Sequence, residues 1–241
     1  MHSAAILSLP LLGLLAGALT TVAGLGGGML LILVLSILIG PAPALACTAP
    51  ALLLGNIHRF SMLRDKVDAR IALAFVAGAL PGSILGGLLA ARLPEAALHA
   101  IMAIMVVLAV LRAFGYLQIQ WKADWMMPAG LGIGALAATS GGAGLLLGPL
   151  LMAAGLKGEA YIATGAVAAA SMHIGRLVAY GASGLVTREV ALIAGVLAAS
   201  ILAGNFTGLK VRRRLAQQTS DRVELGALVG CAALAIVGVG H

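Results

Sequence analysis

The sequence predicts an all-α polytopic membrane protein made of two inverted-topology repeats. Each repeat has about five helical elements, and its first helix is broken or folded into a hairpin. Three observations carry this. The 241 residues are 61% hydrophobic and only 10% charged, with a mean hydropathy of +1.10, whereas a soluble domain carries roughly 25% charged residues. The chain matches itself at a constant offset of 117 positions. Its basic loops change place between the two halves. This composition excludes both a water-soluble enzyme and a disordered chain. The long apolar runs suit spanning helices and not the alternating strands of a barrel.

At the offset, Gly13-Leu14 falls on Gly130-Leu131 and Gly17-Ala18-Leu19 on Gly134-Ala135-Leu136. Gly24 and Gly27 fall on Gly141 and Gly144, Arg59 on Arg176, Gly78 on Gly195, and Ser83-Ile84-Leu85 on Ser200-Ile201-Leu202. Leucine matches weigh little in such a sequence; the single arginine and the serine-containing tripeptide weigh more. The repeats are residues 1–117 and 118–241. Because Gly13 to Leu19 takes part, and no basic n-region precedes it, the first apolar stretch reads as part of the fold and not as a leader.

The elements follow in order. The first, Ala4–Ala23 and Trp125–Ser140, ends in a glycine cluster: Gly24-Leu25-Gly26-Gly27-Gly28 in one half, Gly141-Gly142-Ala143-Gly144 in the other. Glycine weakens a helix interior. The second, Met29–Ile39 and Leu145–Ala154, is short. At about 1.5 Å per residue it reaches only about half-way across a bilayer core. A hairpin or broken helix with the glycines near the midplane is expected, a pair of full crossings being the alternative. The third (Ala44–Ile57, Ala160–Val178), fourth (Ile71–Ala91, Val190–Leu209) and fifth (Ala96–Ala113, Val223–Val239) read as crossings.

The loops set orientation. Arg59, Arg64, Lys66 and Arg70 lie between elements three and four of the first half; only Arg188 and Glu189 lie in the equivalent loop of the second. The loop between elements four and five is weakly charged in the first half, but in the second carries Lys210, Arg212, Arg213, Arg214 and Arg222. With both basic loops in the cytoplasm the halves are oppositely oriented, as in many secondary transporters. Both termini then face away from the cytoplasm. The net charge of +7 is accounted for by these loops, and at 4% aromatics no stacking platform for nucleic acid exists. The expected partners are the lipid bilayer and a small anionic substrate; a homo-oligomer is left open.

The Gly24–Gly28 cluster, then Pro43-Ala44-Leu45-Ala46-Cys47-Thr48, a basic loop, and Leu80-Pro81-Gly82-Ser83-Ile84-Leu85-Gly86 recur in order, the pattern repeating in the second half. This resembles the TauE/SafE family of sulfite-exporter-like permeases over nearly the whole chain. The resemblance implies transport, usually export, of sulfur-containing oxyanions or organosulfonates. The second half departs from the pattern: its glycine turn is shorter, and Ala198-Ala199 stands at the offset position of Pro81-Gly82.

Read physically, interrupted helices at matched positions point to a transport site. Gly24, Gly26, Gly27, Gly28, Gly141, Gly142 and Gly144 would free backbone N–H groups for an anion at a helix N-terminus, or else allow close helix packing. With no preceding strand and no Gly-Lys-Ser/Thr they do not cradle a nucleotide. Arg59 borders a basic loop beside Asn56 and His58; Arg176 lies within element three of the second half, three residues after His173 on one helix face. A guanidinium fork matches an oxyanion, while loop placement for Arg59, or snorkelling for Arg176, is the plain alternative. Thr48 and Thr164 open the third elements and either meet substrate or bond back to the helix. Asn205 offers an interhelical bond. Gly78, Gly82 and Gly86, with Gly195, Ala199 and Ala203, form small-residue stripes for tight packing, and the two fourth elements are expected to meet across the pseudo-two-fold axis.

All eight acids lie in loops or at segment ends, which argues against a carboxylate proton relay, a catalytic metal and a hydrolytic triad. Cys47 and Cys231 lack a metal-binding spacing and read as small packing residues. No cofactor and no enzymatic activity are expected. The reading is a secondary permease exporting a small sulfur oxyanion by alternating access. An anion channel, or an uptake permease for another small anion, is the alternative.

Overall fold

The computed structural model describes residues 3–23, 27–114, 116, 125–142, 144–212, 214–215 and 217–239. These form α1 (Ser3–Ala23), α2 (Gly27–Ile39), α3 (Pro41–Leu63), α4 (Ala69–Ala90), α5 (Glu95–Ala113), α6 (Met126–Ser140), α7 (Gly144–Ala153), α8 (Gly158–Ala182), α9 (Arg188–Arg212) and α10 (Gln217–Val239), with no strand among the described residues. Three of them, α4, α8 and α9, are both long and apolar enough to cross a membrane by themselves. The outer surface is apolar: Leu11, Leu73, Leu85 and Leu192 are each more than 60% exposed. In water such a surface would aggregate; against lipid it is satisfied. The chain is therefore an all-helical, polytopic integral membrane protein.

Glycines set the closest approaches. Gly13 and Gly17 of α1 lie on Leu197 and Ile201 of α9, and Gly204 and Gly208 of α9 lie on Leu14 and Ala18 of α1. Rising numbers meet rising numbers, so α1 and α9 run parallel. In the same way Gly130 and Gly134 of α6 lie on Phe75 and Ala79 of α4, and Gly78, Gly82 and Gly86 lie on Met127, Leu131 and Ala135. At most of these positions a Cβ would strike the partner's backbone. Without a hydrophobic force between helices in lipid, such small-residue contacts hold them together.

Two further parallel contacts complete the arrangement. α3 lies along α9, with Gly55 against Ile201 and the His58 ring 4.6 Å from Phe206. α8 lies along α4, with Gly175 against Ser83 and Gly87 against Ala179. At the centre α3 and α8 meet and run antiparallel. Asp68 N, just past α3, donates to Thr164 Oγ1 near the start of α8, whereas Arg176, far along α8, reaches Leu45 near the start of α3. The protein thus has two helical bundles, α1–α3 with α9 and α6–α8 with α4. Each has its own buried core: Leu31, Leu45 and Leu197 belong to the first, Phe75, Ile133, Leu150 and Met172 to the second. Residues 1–117 and 118–241 are interleaved, because each half lends its fourth helix to the other. The segments 64–70 and 210–212 emerge at one end, because α3 and α9 are parallel.

Three features differ from the sequence-based expectation. First, Gly195 has open space around it, and Ala199 and Ala203 are exposed. In α9 the tight contacts are made by Gly204 and Gly208, which take the places of Gly82 and Gly86. The Ser83-Ile84-Leu85 match is therefore out of structural register. α8 and α9 have 25 residues each, against 23 in α3 and 22 in α4, and the extra residues at their junction shift the alignment. Second, the glycine stripe of α4 faces α6 and not α9; α3 and α8 are the helices that meet at the centre. Third, α3 continues to Leu63, so Arg59 is a helical residue and not the first of a loop.

Candidate functional site

α2 turns back on α1. Gly27, its first residue, sits against Ala16 and Thr20, and a Cβ there would strike both. A reversal follows, because a broken but continuing helix would carry Gly27 away from Ala16. α6 ends in a true break: Gly141 is its C-cap in the left-handed conformation, φ 71°, and donates its N–H to Ala137 O at 2.8 Å. This φ favours glycine over any residue with a Cβ. Gly142 N donates to Ser140 Oγ at 3.2 Å. Gly144 then opens α7.

Between the reversal of α2 on α1, the break at Gly141 and the crossing of α3 with α8 lies a cavity of about 80 Å³. Its wall holds Thr20, Gly28 and Met29 from the reversal, Ala137, Gly141 and Gly142 from the break, and Leu147 and Leu151 of α7. α3 contributes Leu52, Asn56 and Arg59; α8 contributes a face from Tyr161 to Arg176 that includes His173. Several of these stand 117 positions apart in the sequence: Thr20 and Ala137, Leu52 and Ala169, Asn56 and His173, Arg59 and Arg176.

Both arginines are buried, Arg176 completely and Arg59 at 7% exposure. Helical side chains tilt toward the N-terminus of their helix. With α3 and α8 antiparallel, the two guanidinium groups enter the cavity from opposite ends. Each is braced from three residues earlier. Arg59 Nη2 donates to Asn56 Oδ1 at 2.5 Å, and Asn56 Nδ2 is fixed in turn by Leu52 O at 2.8 Å. Arg176 Nη1 lies 3.3 Å from His173 Nδ1. Arginine has no acceptor, so His173 accepts there and carries its proton on Nε2. Arg176 Nη2 also donates to Leu45 O at 2.9 Å and lies 3.4 Å from Thr48 Oγ1. Its guanidinium carbon is 5.7 Å from the centre of the Tyr180 ring, whose hydroxyl donates to Ala138 O. Arg176 Nε is buried with no hydrogen-bond partner.

Among the described residues no carboxylate balances these charges. Among the described residues the only ion pair is the exposed Arg64–Asp65 contact at 3.8 Å. A buried cation that lacks a counter-charge is costly. A cavity bordered by two of them is suited to an anion.

Seven of the sequence-derived candidates line the cavity: Gly28, Asn56, Arg59, Gly141, Gly142, His173 and Arg176. Thr48 stands behind it, donating to Ala44 O at 2.8 Å and beside Arg176. Thr164 is buried elsewhere, accepting from Asp68 N at 3.0 Å. Gly27 is occupied by packing against α1. Gly144 starts the helix that brings Leu147 and Leu151 to the wall, and Gly24 and Gly26 lie outside the described residues. Asn205 makes interhelical bonds, accepting from Thr21 Oγ1 at 3.0 Å and donating to Gly55 O at 3.0 Å. Thr20, Tyr161 and Tyr180 were not singled out by sequence. Thr20 had a signal, since it precedes the glycine cluster by one helical turn. Nothing marks the two tyrosines apart from the fold.

A helical membrane protein whose interrupted helices enclose a cation-lined cavity belongs to the permease class of membrane transporters. The chain is a member of the sulfite exporter TauE/SafE family, whose family model matches residues 9–237. Neither the curated proteins nor the solved structures give a match.

Proposed function

We propose that the protein exports a small sulfur-containing oxyanion, such as sulfite or a small organosulfonate, across the cytoplasmic membrane by alternating access. The observation that carries this is the pair of buried arginines facing one cavity, with no carboxylate among the described residues beside them. The size of the cavity is consistent with it: a single water needs roughly 10–15 Å³, so about 80 Å³ admits an anion of a few heavy atoms. Gly141 and Gly142 shape that wall, their own N–H groups being engaged by Ala137 O and Ser140 Oγ. The positive-inside rule puts the end carrying segments 64–70 and 210–212 in the cytoplasm, with the halves as inverted-topology repeats. The bodies that rock are then the two interleaved bundles, sliding where α3 meets α8. An interior-negative potential favours export by about 2.3 kcal/mol per charge per 100 mV, so no coupling carboxylate is required.

Flux of radiolabelled sulfite from proteoliposomes tests the proposal. Saturation with concentration, and competition by thiosulfate or small sulfonates, is the expected result. Flux that rises linearly without saturating identifies a channel, and no sulfite flux refutes the assignment.

A further inference from the structure

The two arginines occupy equivalent sequence positions but unequal surroundings. Arg176 is docked across the α3–α8 interface, on Leu45 O at 2.9 Å and beside Thr48 Oγ1 at 3.4 Å. Among the described residues Arg59 has one hydrogen-bond partner, Asn56 of its own helix, and reaches no acceptor on α8. The positions equivalent to Leu45 and Thr48, at the offset that relates Arg59 to Arg176, are Ile162 and Gly165. Both line the cavity. The mirror-image dock for Arg59 is therefore present, lacking only the hydroxyl, and Arg59 does not use it.

From this asymmetry we infer that the two arginines serve as anion ligands in turn. In the state described, Arg176 is held on α3 and Arg59 is the guanidinium open to an anion. In the opposite access state Arg59 docks on Ile162 O of α8, Arg176 leaves Leu45, and the anion passes to it. This inference rests on the transport reading above and adds a division of labour to it. The physical reason for exchange is the cost of the buried charges. Each guanidinium needs an oxygen partner; a backbone carbonyl provides one when the anion does not. Sliding α3 past α8 breaks one dock as it forms the other, so the two arginines are not both left bare.

The test uses spin-label distances in lipid nanodiscs, with Cys47 and Cys231 replaced by alanine. One label pair, Ser61 with Glu159, spans the two bundles at the basic end; a second, Arg92 with Thr187, spans them at the other end. The expected result is that Arg59→Gln and Arg176→Gln shift the populations in opposite directions, Arg59→Gln toward the described state. Thr48→Val, which keeps both charges, and Gly165→Ser should both shift away from it. The Gly165 substitution is tolerable, because a Cβ there meets only the Leu151 Cδ1 tip at 3.3 Å. A hydrogen bond's net contribution of about 0.5–1.5 kcal/mol corresponds to a change of roughly three- to tenfold in the ratio of states. If the two arginine variants shift the populations the same way, or if Thr48→Val and Gly165→Ser leave both distributions unchanged, the exchange is overturned. Sulfite flux by the unaltered protein is scored separately: its absence defeats the transport reading, whereas its presence with no opposite shift defeats the exchange alone.

Discussion

Arg176→Met should leave the empty protein close to the parent in stability while weakening its response to anion. Arg176 is completely buried, and among the described residues no carboxylate pairs with it. Its desolvation costs several kcal/mol even after relaxation. Opposing that are the bond to Leu45 O at 2.9 Å, two longer contacts at 3.3 and 3.4 Å, and the Tyr180 ring at 5.7 Å. One good bond from a charged donor contributes about 1.5–3 kcal/mol, the ring contact about 1–2 kcal/mol. Removing the arginine leaves His173 Nδ1 without a donor, a cost of about 1–3 kcal/mol; Thr48 keeps its bond to Ala44 O. Relief and loss are of similar size, so the net change should stay within about 2 kcal/mol. Thermal unfolding with and without sulfite is the assay. An anion present at 100 times its Kd stabilises the parent by about 2.7 kcal/mol, near 5–10 °C for a chain of this size; the variant should gain less, because Arg59 alone is left to hold the anion. Collapse of the empty variant would make Arg176 a structural residue. Undiminished sulfite stabilisation of the variant would remove Arg176 from the site.

Four other outcomes follow from the same geometry. Arg176→Lys keeps the charge but loses the planar fork, so the half-saturation concentration for sulfite flux should rise about tenfold or more, the equivalent of one lost charged hydrogen bond; an unchanged value makes Arg176 an anchor only. Gly27→Leu should yield no folded protein, because its Cβ would meet Thr20 N at 2.8 Å, whereas Gly28→Leu, facing only the Leu52 side chain at 3.2 Å, should fold and block flux; size-exclusion profiles and flux separate the two. Asn205→Ala removes two interhelical bonds of 3.0 Å and should cost about 1–2 kcal/mol of stability with flux retained, read from the thermal midpoint and transport rate. Cysteines at Arg64 and Arg214 should label from the cytoplasmic side and one at Arg188 from the other; labelling of Arg64 and Arg188 from one side would refute the inverted arrangement.

Most helix limits were legible because glycine and proline punctuate an otherwise continuous apolar chain. The reversal after Ala23 and the break at Gly141 are written in the glycine clusters, and Pro41 follows Gly40 at φ 88° where α3 begins. The end of α3 was not legible. His58, Arg59 and Arg64 look like loop composition, but the helix carries Arg59 inward to a braced, buried position. Composition reports how polar a residue is, not which way its helix face points. The register of α9 was misread for a related reason: Ser-Ile-Leu recurs by chance in such sequences, while packing selected Gly204 and Gly208. The equivalence of Asn56 and His173 is hidden because the two side chains differ. It emerges only when each is seen accepting from the arginine three residues on.

The interleaving of the halves bears directly on how a cavity can open. If residues 1–117 and 118–241 formed separate bodies, the α1–α9 and α4–α6 contacts would have to slide, and there backbone meets backbone at glycine after glycine. Close-packed surfaces of that kind have discrete arrangements and not continuous ones. The α3–α8 interface is different. Its polar contacts are side chains reaching across, Arg176 to Leu45 O and to Thr48, with the cavity beside them. Those contacts can break and re-form without unpacking a glycine stripe. The soft surface of the molecule is thus the one that carries the arginines, and the rigid surfaces are those that exchange a helix between halves. In the proposed cycle access and charge neutralisation are coupled, because the same residues would serve both.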